Sequence, residues 1–262
     1  MNAIQKPHTQ PIGNCAEHGD YSHRDGYAGH ECPTCLHKAA AERSWLRSNV
    51  PVRFRGRTLG MFATEAPEQS DALSLMRAYA DDFEKHAETG ASLVLCGKPG
   101  TGKTHLACGT LQAVAMRHAV TTGYVTAADM IRAIRSTYAR NSDDTEEKVI
   151  ERFSDVALLV IDEVGVTLGT EHERQLFYVV LNRRYERFRP TIIISNLPHK
   201  DLSDFLGERV IDRLKEGGGR ILAFNGESYR TRDNGLPTRS GCPQVRATPF
   251  FQKEDGRFMG CV

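Results

Sequence analysis

Eight consecutive residues near position 100 have the types and the spacing that phosphate binding requires. They read Gly97-Lys98-Pro99-Gly100-Thr101-Gly102-Lys103-Thr104 and fit the P-loop pattern G-x-x-x-x-G-K-[ST]. In this pattern the glycines let successive backbone N–H groups point at an anion, and the lysine places a cation on the β- and γ-phosphates. The sequence therefore predicts that residues 97–104 bind a nucleotide, with the Thr104 hydroxyl as a Mg²⁺ ligand.

Two acidic residues supply the complementary chemistry. Asp162 and Glu163 end an apolar run that begins at Ala157, and such a run is typical of a buried strand in a parallel sheet. Asp162 would then lie beside the P-loop and hold Mg²⁺, while Glu163 is placed to polarise the attacking water as a general base. Asn196 ends another apolar strand and is expected to orient water or contact the γ-phosphate; a plain turn residue is the alternative.

The elements that must position these residues alternate along the chain. Residues 92–96 are expected to form the strand that enters the P-loop, and 104–118 a helix whose N-terminus faces the phosphates. Further strands are expected at 123–125, 157–162 and 191–195, and helices at 69–87, 127–139, 144–153 and 171–186, followed by short helices. This alternation predicts an α/β fold, a three-layer domain built on a parallel sheet.

The first 50 residues contain a separate candidate metal site. A C-x₂-H pair and a C-x₂-C pair lie there: Cys15 with His18, and Cys32 with Cys35. Two such pairs joined by a loop match a tetrahedral Cys₃His zinc site, which is structural because four protein ligands leave no open position. His23 and His30 compete with His18 for the fourth position, and unrelated cysteines in a disordered leader are the other interpretation.

Composition limits the classes of protein to consider. The chain has 262 residues, with 34 Lys and Arg against 33 Asp and Glu, so no overall basic field points to nucleic acid. The polar N-terminus lacks the apolar core of a secretory signal, and no apolar stretch is long enough to span a bilayer. We therefore expect a cytoplasmic protein with no membrane partner, whose 7 cysteines are reduced or metal-bound.

These patterns divide the chain into four regions. Residues 1–50 are expected to form a zinc-binding module with a helical segment at 38–50, and 51–68 a linker. Residues 69–232 are the expected nucleotide-binding domain, and the Gly/Pro-rich stretch 233–262 a flexible tail. A nucleic-acid patch is the alternative interpretation of the arginine-rich linker.

Four motifs together resemble one family. They cover residues 97–107 (GKPGTGKTHLA), 158–165 (LLVIDEVG), 206–213 (LGERVIDR) and 227–230 (ESYR). In this order they are similar to the DnaC-type helicase loaders of the AAA+ ATPases, over about residues 54–232. The resemblance implies an AAA+ ATPase domain at 69–232. It also implies that the protein forms an ATP-dependent homo-oligomer and hydrolyses ATP to load a hexameric replicative helicase onto single-stranded DNA.

The resemblance also implies roles for three polar residues. Asn196 matches the sensor-1 residue, and Arg230 matches the sensor-2 arginine, which contacts the nucleotide of its own subunit. Arg213 matches the arginine finger that reaches the ATP of a neighbouring subunit. Arg209 is a nearby alternative for the finger, and a surface ion pair is the alternative interpretation of Arg213.

Single-stranded DNA is expected to contact the helix at 127–139. Arg132, Arg135 and Tyr138 supply two cations and one aromatic ring, which suit a phosphate backbone and a stacked base; Arg140 lies nearby. A solvated helix face is the alternative interpretation.

The chain departs from the family at its front. There the zinc module replaces a helical helicase-binding segment, and we hypothesise that this module docks the helicase. Two other functions stay open: an IstB-like ATP-binding transposition helper of the same fold, and an adaptor that binds ATP without hydrolysing it.

Overall fold

The computed structural model describes residues 13–21, 32–166 and 170–229. A small antiparallel hairpin, β1 (Gly13–Cys15) and β2 (Gly19–Tyr21), precedes a five-stranded sheet. The strands of this sheet are β3 (Leu93–Gly97), β4 (Thr122–Thr126), β5 (Leu158–Asp162), β6 (Thr191–Ile194) and β7 (Arg220–Phe224). The helices are α1 (Pro33–Arg47), α2 (Pro67–Asp81), α3 (Phe83–Thr89), α4 (Lys103–His118), α5 (Ala127–Arg135), α6 (Glu146–Asp155), α7 (Glu171–Glu186), α8 (His199–Leu206) and α9 (Glu208–Lys215).

The large sheet has the strand order β4-β5-β6-β3-β7, and every neighbouring pair is parallel. β3, β5 and β6 are buried along their whole length, which explains why their sequences are continuous apolar runs. Because the strands run in one direction, their carboxyl ends meet at one edge of the sheet. That edge carries the P-loop, which starts at the end of β3. It also carries Asp162 at the end of β5 and Asn196 just after β6.

Helices cover both faces of the sheet. Val94 and Cys96 of β3 pack in one hydrophobic cluster with α5, α6 and α7, whereas Leu93 and Leu95 pack in a second cluster with α2 and α4. Alternate residues of a strand point to opposite faces, so a strand that is apolar throughout contributes to both clusters. The predicted three-layer α/β architecture is confirmed.

Several elements differ from the sequence predictions. β7 was not predicted, yet it pairs with β3 from Leu93 to Gly97 and places the P-loop strand inside the sheet. The helix expected at 69–87 is two helices, α2 and α3, because Asp82 between them has non-helical dihedral angles. The helix expected at 127–139 ends at Arg135 and continues as a single 3₁₀ turn, Ser136–Tyr138.

The helical segment of the N-terminal region begins and ends earlier than predicted. α1 starts at Pro33, a residue that suits the first turn of a helix, and ends at Arg47. The next two residues instead run beside β4: the Tyr124 N–H donates to the Ser48 carbonyl at 2.7 Å, and Asn49 Nδ2 donates to the Tyr124 carbonyl at 3.3 Å. They thereby cover an edge strand that would otherwise expose unpaired backbone groups.

Residues 51–68, which we expected to be a linker, pack on the nucleotide-binding domain. Leu59 and Phe62 are buried in the same cluster as α4. His105 of α4 places Nε2 2.9 Å from the Thr58 carbonyl, and burial is the main reason that the pKa of His105 is lowered. This stretch is therefore part of the surroundings of the P-loop.

Some predictions fall outside the described residues. These are the competing ligands His23 and His30, the sensor-2 candidate Arg230, and the tail 233–262. Among the residues that are described, no helix combines the length and the apolar character needed to cross a membrane.

Candidate functional site

The P-loop connects β3 to α4 along a path that its glycines permit. Gly97, Gly100 and Gly102 have φ angles of 113°, 79° and 92°, values that side chains strongly disfavour. A side chain at Gly100 would also collide with Ser228, and one at Gly102 with Phe62. The loop is therefore held between Phe62, which precedes it in the sequence, and Ser228, which lies far beyond it in the sequence.

Lys103 lies within the loop. Its side chain is buried, at 4% exposure, and Nζ donates hydrogen bonds to the carbonyl oxygens of Gly97 (2.7 Å) and Lys98 (2.6 Å). A buried ammonium group needs such oxygen partners, and the charged oxygens of a phosphate are stronger ones. The geometry thus suits the phosphate-binding role that the sequence predicts.

Asp162 receives hydrogen bonds from three parts of the chain. Thr104 Oγ1 donates to Oδ2 at 3.0 Å, the Tyr124 hydroxyl donates to the same oxygen at 2.7 Å, and the Glu163 N–H donates to Oδ1 at 2.7 Å. The two side chains expected to hold Mg²⁺ are therefore adjacent, and both present the oxygen atoms that this ion prefers. Tyr124 was missed by the sequence analysis, because nothing marks a tyrosine within a strand as a partner of a distant carboxylate.

Glu163 occupies a strained turn after β5. Its φ of 60° lies in the left-handed region, which costs a residue with a side chain about 1–3 kcal/mol. The hydrogen bond from its own N–H to Asp162 and one from the Val164 N–H to the Ile194 carbonyl (3.0 Å) hold the turn in place. The result is an exposed carboxylate at the sheet edge that carries the P-loop, where a general base would be needed.

The segment after β6 is tied to both the acidic turn and the P-loop. Ser195 is fully buried; its hydroxyl donates to the Val164 carbonyl at 2.6 Å and accepts from the Leu197 N–H at 3.1 Å. The Leu197 carbonyl in turn accepts from the Gly97 N–H at 2.9 Å. Asn196 lies between these anchored neighbours and is exposed, so its amide is presented at the same edge.

The last described residues also contact the loop. The Tyr229 N–H donates to the Gly100 carbonyl at 2.9 Å, and the Tyr229 hydroxyl lies 3.1 Å from the Ala63 carbonyl and 3.0 Å from Gln69 Oε1. Tyr229 therefore joins the P-loop to the segment before α2. In the sequence this tyrosine appears only as part of the motif at 227–230, and its contact with the P-loop was not predicted.

Arg213 contacts a neighbouring helix. Its guanidinium lies 4.9 Å from the centre of the Tyr185 ring and hydrogen-bonds Asn182, both on α7. The Tyr185 hydroxyl donates to Glu216 Oε2 at 2.6 Å, which fixes the ring under the arginine. Arg209, one turn earlier on α9, is exposed.

The three residues expected to contact DNA each pair with an acidic side chain. Arg132 pairs with Asp129, Arg135 Nη1 lies 2.9 Å from Glu173 Oε1, and the Tyr138 hydroxyl donates to Glu146 Oε2 at 2.6 Å. All three remain exposed. The neighbouring carboxylates reduce the positive potential of this surface. A phosphate backbone that binds here therefore has to replace these carboxylates as the partner of the three side chains.

The four predicted zinc ligands meet at one point. Cys15 Sγ lies 3.7 Å from Cys35 Sγ, and His18 Nδ1 lies 3.5, 3.7 and 3.4 Å from the sulfur atoms of Cys15, Cys32 and Cys35. Zinc bonds of about 2.3 Å to sulfur and about 2.0 Å to nitrogen place tetrahedral neighbours about 3.8 Å (S···S) and 3.5 Å (S···N) apart. The observed spacing therefore fits four ligands around one zinc ion, and it is too long for a disulfide bond.

The thiols of this cluster have unequal pKa values. Hydrogen bonding, first from the Glu17 backbone and then from the His18 ring, lowers the pKa of Cys15 to about 6. Hydrogen bonding with Cys15 raises the pKa of Cys35 to about 11. A thiol held so close to a thiolate resists ionisation, because two negative charges would repel each other. A bound cation would offset this repulsion.

The fold and the site define a nucleotide-binding protein of the P-loop class. The model of the IstB-like ATP binding protein family matches residues 78–236. The replicative helicase loader DnaC of Escherichia coli (strain K12) is 34% identical over 194 residues, which are 74% of this chain and 77% of that protein. DnaC of Buchnera aphidicola subsp. Acyrthosiphon pisum (strain APS) is 34% identical over 184 residues, 70% of this chain and 73% of that protein.

A solved structure agrees with these matches. The crystal structure of the DnaC helicase loader has a TM-score of 0.59 and 25% sequence identity, and the match covers 66% of this chain and 99% of that one. The chain belongs to the IstB-like family of ATP-binding proteins, and the predicted similarity to DnaC-type loaders is confirmed.

Proposed function

We propose that this protein is an ATPase that loads the replicative DNA helicase onto single-stranded DNA during replication. The observation that carries the proposal is the similarity to DnaC over 77% of that protein's length. Here this similarity occurs in a chain with a complete P-loop beside a buried, hydrogen-bonded carboxylate. ATP binding orders the complex of loader, helicase and DNA, and hydrolysis releases the helicase.

Each polar group of the nucleotide site has a role in the proposed reaction. Residues 97–104 hold the phosphates, with Lys103 on the β- and γ-phosphates. Thr104 and Asp162 would hold Mg²⁺, which neutralises charge on the transferred phosphoryl group when bound. Glu163 accepts a proton from the attacking water, and Asn196 orients that water or the γ-phosphate.

Two arginines complete the site in an oligomer. Arg230 contacts the nucleotide of its own subunit, and Arg213 contacts the nucleotide of a neighbouring subunit. In the isolated chain Arg213 rests on Tyr185 and Asn182, so it has to leave α7 to act in this way. Hydrolysis is thereby tied to assembly, and the exposed Arg209 is the alternative finger.

A structural zinc ion holds the N-terminal module together. Its ligands are Cys15, His18, Cys32 and Cys35, whose spacing fits a tetrahedron. The described hairpin residues, 13–21, are too few to form a hydrophobic core, so the metal takes over that role. Elemental analysis of protein purified from zinc-replete medium tests this directly, because a zinc-free, folded module would contradict it.

Partner binding is tested with the whole chain. Mixing it with the hexameric replicative helicase of its host and ATP·Mg²⁺, followed by light scattering of the eluted species, should show a stable complex. If the zinc module docks the helicase, a Cys32→Ser variant should lose this complex and retain nucleotide binding. Loss of both helicase binding and nucleotide binding would contradict this role, because the substitution would then have affected more than helicase docking.

The family match also defines the second candidate. An IstB-like transposition helper would share the P-loop, the acidic strand end and the family model. Intact ATPase activity with no helicase complex would favour this function and direct attention to a transposase partner. Salt-sensitive single-strand binding that survives Arg132→Ala/Arg135→Ala would remove the proposed DNA surface on α5 in either case.

A further inference from the structure

Tyr124 makes a contact with the nucleotide site that none of the sequence motifs describes. It lies in β4, is 6% exposed, and donates a hydrogen bond of 2.7 Å from its hydroxyl to Asp162 Oδ2. β4 is adjacent to β5 in the sheet, and Tyr124 is the register partner of Val160, two residues before Asp162. The ring therefore runs along the sheet toward the strand end and delivers its hydroxyl to the carboxylate.

The other donors to Asp162 show why this contact matters. The Thr104 hydroxyl donates to the same oxygen at 3.0 Å, and the Glu163 N–H donates to Oδ1 at 2.7 Å. A hydroxyl that ligates Mg²⁺ through an oxygen lone pair keeps its proton, so Thr104 can still donate to Asp162 when the ion is bound. Tyr124 and the Glu163 N–H supply one further donor to each carboxylate oxygen, and neither of them is a metal ligand, so together they keep the group from rotating whether or not the ion is present.

Tyr124 is itself well fixed. Its N–H donates to the Ser48 carbonyl at 2.7 Å, and its carbonyl accepts from Asn49 Nδ2 at 3.3 Å. An ionised carboxylate oxygen can only accept a hydrogen bond, so the Tyr124 hydroxyl is the donor in this contact. The residue thus has a backbone held on both sides and a hydroxyl that donates to Asp162.

We propose that Tyr124 is a positioning residue that holds the Asp162 carboxylate in the orientation needed to bind Mg²⁺ with the nucleotide. The proposal rests on the nucleotide-binding part of the proposed function and is independent of helicase loading. A preoriented carboxylate loses less conformational freedom when the ion binds, so the effect of Tyr124 should appear in the Mg²⁺ dependence of nucleotide binding.

The test compares two conservative variants of the whole chain. Tyr124→Phe removes only the hydroxyl, and Tyr79→Phe is the matched control because Tyr79 is also buried and donates its hydroxyl to a backbone carbonyl, that of Ala91, at 2.8 Å. Binding of a fluorescent ATP analogue is titrated in EDTA and at increasing Mg²⁺. Urea unfolding of both variants measures the loss of stability that any lost buried hydrogen bond produces.

Tyr124→Phe should bind the analogue in EDTA as the wild type does. It should need about tenfold more Mg²⁺ for half-maximal enhancement of binding, as expected when a hydrogen bond to a charged group is lost. Tyr79→Phe should show the wild-type Mg²⁺ dependence. An unchanged Mg²⁺ dependence in Tyr124→Phe would overturn the proposal and leave the hydroxyl a structural role. A wild-type chain that binds no nucleotide would instead overturn the proposed function.

Discussion

Replacing Arg184 by methionine should destabilise the protein far more than the same replacement at Arg183. The two arginines are consecutive in α7 but lie in opposite environments. Arg184 is 1% exposed, whereas Arg183 forms a solvent-accessible ion pair with Glu147, with a shortest distance of 2.6 Å. The pair of substitutions therefore separates the contribution of a buried guanidinium from that of a surface one.

The contacts of Arg184 are all with uncharged oxygen atoms. Its nitrogen atoms donate to the carbonyls of Phe153 (2.8 Å), Ser154 (3.2 Å), Val156 (2.8 Å) and Pro190 (2.6 Å) and to Thr191 Oγ1 (2.9 Å). The first three carbonyls lie at the C-terminal end of α6, where a helix has no donors of its own. Burial lowers the pKa of Arg184 to about 9, so the group remains protonated at neutral pH.

The magnitude follows from what methionine leaves behind. It fills most of the volume but donates no hydrogen bond, so the carbonyls of Phe153, Ser154 and Val156 lose their guanidinium donor. Each buried carbonyl without a donor costs about 1–3 kcal/mol, and removing the buried charge offsets part of the total. We expect Arg184→Met to lower the free energy of unfolding by about 4 kcal/mol and Arg183→Met by about 0.5 kcal/mol.

Urea unfolding followed by circular dichroism measures both values. The m-value should stay constant, so that a shift of the midpoint reports stability alone. Two variants that differ from each other by less than about 1 kcal/mol would refute the reasoning, because the buried carbonyls would then have found other donors.

Three further outcomes are expected. Glu163→Gln should lower kcat for ATP hydrolysis at least about 100-fold because an amide cannot accept the proton, and an equal fall in nucleotide affinity would contradict this role. Cys35→Ser should reduce the zinc content well below one ion per chain, and a full complement of zinc would contradict the ligand assignment. Burial lowers the folded pKa of His105 below its usual 6.5, so the stability contribution of the neutral ring is complete above that pH and is lost as the pH falls. His105→Gln should therefore flatten the fall of Tm between about pH 7 and pH 5, and an unchanged slope would exclude His105 as its cause.

The sequence predicted well whatever depends on neighbouring residues. The P-loop motif is contiguous, and the four candidate zinc ligands form two short pairs that need only one loop to bring them together. The apolar runs at β3, β5 and β6 identified the buried strands, and their alternation with helices identified the parallel sheet. Arg213, Arg230 and the DNA-contacting residues stay predictions.

Long-range packing decided what the sequence could not. β7 is short and partly exposed, so its strand character shows only through its pairing with β3. The order of the strands places Tyr124 beside Asp162, 38 positions away in sequence. Phe62 and Tyr229 both contact the P-loop, although one precedes the loop in the sequence and the other lies far beyond it. Spacing and periodicity describe a residue and its near neighbours, whereas these contacts follow from the way strands and helices share a common core, and only the tertiary structure determines that arrangement.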